Sequence, residues 1–239
     1  MNELIDRLLN LVAPHICKGC GRLGAALCGR CIFNILQTQF RRCLMCYREL
    51  DVKDFTEYGD LCSTCARTSL FIRAYAVGPR AKTLQRLVDD YKFNSERGAA
   101  QPIAKLLAQT LPDNLPPDLT VVPLTTVAKN VRERGFDHMK LACRKLARAR
   151  RLPFAPNVLA RMNNLTQHFL KNPAARRDNA AKSLAINPRV KVPAKVLLVD
   201  DIFTTGATVD AAAKILHAAG AREIWLTVVV RQPDRRRTK

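Results

Sequence analysis

An α/β fold built on a doubly wound parallel sheet, with a small cysteine-rich module ahead of it, is what this chain of 239 residues predicts. Three observations carry that reading. From Phe71 onward, short apolar runs suited to strands alternate with helix-period stretches, the pattern of successive βαβ units. One run, Val196-Leu197-Leu198-Val199, is apolar at four consecutive positions, as suits a strand buried on both faces. Four Cys-x-x-Cys pairs fall between Cys17 and Cys65, in a stretch too short to fold on a core of its own.

Taken in order, Leu4, Ile5, Leu8, Leu9 and Val12 recur at helical spacing before Pro14, so a short amphipathic helix leads into the cysteines. Phe71 to Val77 reads as the first strand of the larger domain, and Leu84 to Tyr91 and Ile103 to Gln109 as helices. Pro112 to Pro117 is a loop. Thr120 to Pro123 is a short strand and His138 to Arg151 a helix. Val209 to Ala219 is a helix stopped by Gly220, and Ile224 to Val230 is a strong strand. The expected division is 1–68 for the helix and cysteine module, 69–231 for the α/β domain and 232–239 for a basic tail.

No apolar run approaches the roughly 20 residues of a membrane span. The N-terminal Met1-Asn2-Glu3-Leu4-Ile5-Asp6 carries two acids and lacks the basic start of a secretory signal. The expectation is a cytoplasmic protein with reduced thiols. In that setting two thiolates at Cys-x-x-Cys spacing can face one metal, and two such pairs complete a tetrahedral S4 site that suits Zn²⁺. Cys17, Cys20, Cys28, Cys31, Cys43, Cys46, Cys62 and Cys65 are thus the expected ligands of about two structural zinc ions. Sequential pairing gives two compact sites, and an interleaved pairing satisfies the same spacings. Disulfides would call for an export signal, and the spacings match neither common ferredoxin pattern. Cys143 stands outside the array, on a helix, and reads as a small core residue.

Net charge is +20, with 40 Lys and Arg against 20 Asp and Glu, which favours polyanionic partners: nucleic acid, sugar phosphates or acidic membrane surfaces. Scattered charge would mean only a soluble basic surface, but part of it is clustered. Lys129, Arg132 and Arg134 lie close together, Lys140 to Arg151 holds six basic residues and no acid, and Arg231 to Lys239 holds five against one acid. Charge alone leaves nucleic acid open.

The most informative segment is Val196 to Thr208. Asp200 and Asp201 follow the apolar run at its carboxyl end, where ligands bind in open α/β sheets. Thr204, Thr205, Gly206, Ala207 and Thr208 then form a small hydroxyl-rich loop that opens into a helix. Backbone N–H groups of such a loop and the helix N-terminus suit a phosphate, the three Thr hydroxyls add donors, and Gly206 lets the backbone come close. The two acids would repel a phosphate, so they suit the ribose hydroxyls beside it. The segment resembles the binding motif of type I phosphoribosyltransferases, matched at every position; such a motif identifies what is held, not that a bond is broken. Two further segments are dense in polar groups. Arg132 and Arg134 follow a strand end. Arg161, Thr166, Gln167, His168, Arg176, Arg177 and Asn179 fall in a long stretch of weak periodicity that resembles a mobile loop. Arg suits bidentate phosphate contacts, although each Arg taken singly reads equally as a solvated charge.

Together these pieces resemble the ComF family of phosphoribosyltransferase-like proteins over nearly the whole chain. The double zinc ribbon is matched by Cys17 to Cys65, and Pro-Leu…Arg-x-Arg-Gly-Phe by Pro123 to Phe136. Arg161, Thr166, Gln167, Arg176 and Asn179 match a further motif, and Val199 to Thr208 the sugar-phosphate motif. One departure is Ser183-Leu184, where members often have Ala-Phe. The resemblance implies a type I phosphoribosyltransferase fold and, in several bacteria, a part in taking up transforming DNA. Three functions are compatible with it. The first is transfer of phosphoribosyl from phosphoribosyl pyrophosphate to an unidentified acceptor. There Asp200 and Asp201 would be the catalytic acids, Thr204 to Thr208 the 5-phosphate site, and Mg²⁺ would bridge the pyrophosphate beside Arg132, Arg134 and Arg176. The second is a non-catalytic factor handling single-stranded DNA and DNA-uptake proteins, though only 6% of the chain is aromatic. The third is a sensor whose occupancy switches a partner.

Overall fold

A computed structural model describes residues 15–38, 40–94, 96–126, 128–161 and 184–232. The expected N-terminal helix, the stretch containing Thr166 to Asn179 and the tail beyond Gln232 lie outside the described residues. The cysteine-rich part contributes three short helices, α1 (Gly29–Gln37), α2 (Val52–Tyr58) and α3 (Ser63–Thr68). Strand β1 (Phe71–Pro79) follows, then α4 (Lys82–Phe93), a 3-10 turn at Arg97–Ala99 and α5 (Ala100–Thr110). After β2 (Thr120–Pro123) come α6 (Ala128–Arg134), α7 (His138–Arg150) and an antiparallel pair, β3 (Leu159–Arg161) with β4 (Leu184–Ile186). Strand β5 (Lys195–Phe203), α8 (Ala207–Ala218) and β6 (Glu223–Arg231) complete the described chain.

Strands β1, β6, β5 and β2 form, in that order, one parallel sheet. The apolar runs that forecast these strands are the sheet's interior, since parallel strands are covered on both faces. Leu197, Val199, Tyr75 and Val121 pack on one side against Leu87 of α4, Leu107 of α5 and Leu146 of α7. Val196, Leu198, Ala74 and Val122 pack on the other against Val209, Ala212 and Leu216 of α8. Cys143 is fully buried in the first of these cores, as its place on a helix predicts, and burial pushes its thiol well up. Of the elements that the sequence reading did not name, α2, α3, α6, β3 and β4 are too short to set up a helical or alternating pattern, whereas the nine-residue α1 is amphipathic but lies within the cysteine array.

The cysteine-rich part straddles the outer edge of the sheet. Cys17, Leu27 and Ile32 join the core on one face, and Phe40, Leu44, Leu61 and Cys62 the core on the other. Between them Gly59 pairs with Ala74 on β1. The Asp60 N–H donates to the Ala74 carbonyl at 2.7 Å, and the Asp60 carboxylate accepts from the Ala76 N–H at 2.7 Å. Covering an edge in this way removes a row of unpaired backbone groups. Gly59 has φ +66°, and a Cβ there would lie 2.5 Å from the Ala74 carbonyl oxygen, so only glycine fits. Among the described residues, no helix is long and apolar enough to cross a membrane.

Candidate functional site

Strand β5 does not stop at Val199. Its ladder with β6 continues through Asp200↔Val228 to Phe203↔Arg231, so Asp200 and Asp201 lie inside the strand rather than beyond its end. The sequence reading put both acids at the strand's mouth; the structure corrects this for Asp201. Side chains alternate along a strand, and Asp201 falls on the face of Leu197 and Val199, where it is 4% exposed. Asp200, on the other side, is half-buried.

A buried carboxylate needs partners, and Asp201 has two. Its Oδ1 accepts from Lys92 Nζ at 2.9 Å, and its Oδ2 lies 2.9 Å from His138 Nε2. Lys92 comes from the last turn of α4 and His138 from the first residue of α7. Asp137, which caps α7 by accepting from the Lys140 N–H at 3.1 Å, sets where that helix begins and so where the imidazole stands. The other ring nitrogen, Nδ1, is 2.9 Å from Arg134 Nη1. A guanidinium can only donate. Nδ1 therefore accepts, and Nε2 carries the proton toward Asp201. The line Arg134–His138–Asp201–Lys92 ties the basic segment after β2 to the acidic pair. Despite its burial, Asp201 is held far below the usual carboxylate range by Lys92 and His138. Asp200 moves the opposite way, to about 7, first through burial and then through the charge of Asp201.

Past Phe203 the chain turns out of the sheet. Thr204 and Thr205 are exposed, and Gly206, Ala207 and Thr208 half-exposed. Gly206 is the N-cap of α8, with φ +83° and no side-chain cap. Of the first N–H groups of α8, none of which has an intrahelical acceptor, that of Ala207 reaches Thr205 Oγ1 at 3.5 Å, while those of Thr208 and Val209 meet no side chain among the described residues. A Cβ at Gly206 would meet Phe203 Cζ at 2.6 Å, so glycine is required both for backbone and for space. An uncapped helix N-terminus after a parallel strand is suited to an anion.

The remaining expected residues divide. Arg134 reaches the acidic pair through His138. Arg132 stands exposed on α6; its carbonyl accepts from the Gly135 N–H at 3.3 Å, and its side chain makes no hydrogen bond or ion pair among the described residues. Arg176 lies outside the described residues. Arg161, at the end of β3, donates from Nε to the Thr125 carbonyl at 3.0 Å; burial lowers its pKa and the nearby Asp200 opposes that. Sequence reasoning missed Lys92 and His138. Neither sits in a recognisable motif, and their one signal was proximity, since His138 follows the Arg-x-Arg-Gly-Phe segment by two positions.

The eight cysteines form two groups of four, Cys17, Cys20, Cys28 and Cys31, then Cys43, Cys46, Cys62 and Cys65. Pairing is thus sequential, not interleaved. Within each group the sulfur atoms all lie within 4.8 Å of one another. Each group joins a tight turn to a helix start: Cys28 is the N-cap of α1 and Cys62 of α3. Backbone N–H groups point at sulfur from Cys28 to Cys17 (3.3 Å), Cys62 to Cys43 (3.4 Å) and Cys65 to Cys62 (3.4 Å). Burial raises the Cys17 and Cys62 thiols, but these N–H donors and the neighbouring thiols outweigh it and hold them at about 6 and about 7. Burial pushes the Cys31, Cys43 and Cys65 thiols the other way, but four sulfurs this close together are the donor set of a closed structural zinc site, so the residues present fit the metal.

The phosphoribosyl transferase domain model matches residues 152–239, which include β5, the loop and α8. Competence protein F of Haemophilus influenzae is 26% identical over 220 residues, spanning 88% of this chain and 90% of its own. Competence protein ComFC of Streptococcus pneumoniae is 23% identical over 220 residues, 87% of this chain and 88% of its own. Among solved structures, the glutamine phosphoribosylpyrophosphate amidotransferase of B. subtilis is 20% identical, with a TM-score of 0.41 over 59% of this chain and 30% of its own. A hypoxanthine phosphoribosyltransferase of Staphylococcus aureus is 15% identical, with a TM-score of 0.36 over 61% of this chain and 68% of its own.

Proposed function

The chain belongs to the ComF family of phosphoribosyltransferase-like proteins, and on that premise we propose that it binds phosphoribosyl pyrophosphate at the β5–α8 turn, in the service of DNA uptake. The observation that carries the reading is the glycine-capped start of α8, where Thr204, Thr205 and Thr208 line the turn and no side chain caps the Thr208 and Val209 N–H groups, a few residues past the half-buried Asp200. The 5-phosphate sits against the loop N–H groups and threonine hydroxyls. Asp200 accepts from the ribose hydroxyls, while Asp201 holds Lys92 and His138 in place. Through His138, Arg134 is fixed near the acids, where a guanidinium would neutralise the pyrophosphate; Arg132 and Arg176 are assigned to the same end of the ligand. Mg²⁺ bound with the ligand would supply further charge neutralisation as pyrophosphate departs. Transfer to an acceptor would make the protein a glycosyltransferase, with Asp200 beside the reacting sugar. The two cysteine groups hold one structural zinc ion each.

Calorimetry with phosphoribosyl pyrophosphate and Mg²⁺ tests the site. Asp200→Asn should weaken binding at least tenfold, the scale of one charge-assisted hydrogen bond, without loss of folded protein. Parent and variant binding equally, or the parent not binding, would refute the reading.

A second reading draws on α7. Arg144 and Arg148 are exposed along it and Arg151 just past its end, in a stretch without acids. This face suits the backbone of single-stranded DNA, bound electrostatically and with little sequence preference. Such binding falls steeply with salt through counterion release; an affinity flat between 50 and 200 mM salt would exclude it.

A further inference from the structure

Arg231 ends β6 and begins what the sequence suggested was a basic tail, yet it is 3% exposed. Its Nε donates to the Leu44 carbonyl at 2.7 Å, and Leu44 lies between Cys43 and Cys46 in the second cysteine group. Its Nη1 donates to the Thr204 carbonyl at 2.6 Å and also to the Gln232 carbonyl. The guanidinium lies against two rings, 4.8 Å from the centroid of Phe203 and 5.4 Å from that of Tyr47. Phe203 in turn is the ring on which Gly206 rests. We infer that Arg231 is a positioning residue for the Thr204–Thr208 loop, transmitting the geometry of the second cysteine group to it.

The peptide bond supplies the mechanism. It is planar and trans, so the Thr204 carbonyl and the Thr205 N–H, which share one peptide unit, point in opposite directions. Arg231 draws the carbonyl inward. The Thr205 N–H is thereby turned outward, toward the loop's open side, where an anion would meet it.

Tyr47 provides an independent sign. In the first cysteine group, the residue after the second cysteine is Gly21, at φ +77°, and its N–H donates to the Cys17 carbonyl. In the second group that position is Tyr47, at φ +66°, donating in the same way to Cys43. A non-glycine residue there is strained by about 1–3 kcal/mol, and glycine would serve the turn better. What the tyrosine adds is a ring beneath Arg231. Arg42 also lies over this ring, at 5.2 Å, so two guanidinium groups contact the tyrosine of the turn.

This inference rests on the loop being a phosphate site, and the experiment separates the two. The full-length, metal-bound parent, Arg231→Lys and Tyr47→Gly are compared by metal content, thermal midpoint, calorimetry with ribose 5-phosphate, and ¹⁵N relaxation of the Thr205 and Gly206 amides. Arg231→Lys keeps the charge but cannot span the Leu44 and Thr204 carbonyls together. It should lower affinity at least tenfold, and the two amides should drop from the rigid range of order parameter near 0.85 to below about 0.6. Tyr47→Gly should keep its metal and its midpoint, because it relieves strain, yet lose affinity at least threefold. That split is one a merely structural role would not produce, and it stands if Arg231→Lys fails to fold. Parent affinity or unchanged amide order in either folded variant overturns the inference. A parent that does not bind ribose 5-phosphate refutes the phosphate reading, and the relaxation data then decide the positioning role alone.

Discussion

His138 Nε2 stands 2.9 Å from Asp201 Oδ2 in a site where both side chains are about nineteen-twentieths buried. This contact makes the two adjacent acids different in kind. Asp201 is part of the internal framework, whereas Asp200 remains available to a ligand.

Asp201→Asn should therefore destabilise the fold by about 3–5 kcal/mol, since it leaves Lys92 and His138 facing a neutral group in the interior. Asp200→Asn should leave urea stability within about 0.5 kcal/mol of the parent or raise it. Equal losses in the two variants would contradict the division of roles.

The raised pKa of Asp200 sets a pH dependence. A carboxyl lifted from its usual value to about 7 resists ionisation in the folded state, so its contribution to stability falls as pH rises from about 4 to about 7. Ligand binding that needs the ionised form runs the other way and should strengthen between pH 6 and 8. A phosphate's own second ionisation near pH 6 is common to parent and variant. The difference between the parent and Asp200→Asn then reports Asp200, and calorimetry at pH 6, 7 and 8 should find it widening upward.

Gly206→Ala should cost about 1–3 kcal/mol through its positive φ, and more if Phe203 cannot move away from the new methyl. Its phosphate affinity should fall too. Thr205→Val, on an exposed position, should leave stability within about 0.5 kcal/mol while weakening ribose 5-phosphate binding. Thermal melts and calorimetry on the two variants distinguish loop shape from loop chemistry.

Metal analysis of protein purified without added metal should find two zinc ions per chain. Cys46→Ser with Cys65→Ser should remove one of them. Because Leu44, Leu61 and Cys62 share a core with Phe71 and Leu198, the loss should lower the midpoint of the whole chain in one transition, by about 6–12 °C if only ~3 kcal/mol is lost. An α/β domain melting at the parental temperature would show the module to be a mere appendage.

The sequence by itself determined the four strands of the sheet, because strands covered on both faces are largely apolar and a run such as Val196 to Val199 admits little else. It also determined the two cysteine groups, since Cys-x-x-Cys is a local geometry, and the β5–α8 turn, whose strand, glycine and helix are contiguous. What only the tertiary structure decided were the relations across the chain. Cysteine pairing depended on how the two modules fold back on the edge of β1. Asp201 became internal because β6 extends the ladder beside it and α4 and α7 bring Lys92 and His138 from 109 and 63 residues away. Arg231 looked like the start of a basic tail until the fold brought Leu44, 187 residues distant, against it. Local patterns follow from backbone geometry and burial, which neighbouring residues reveal. A buried charge is stabilised by whatever partner the fold delivers, and no local pattern announces that partner.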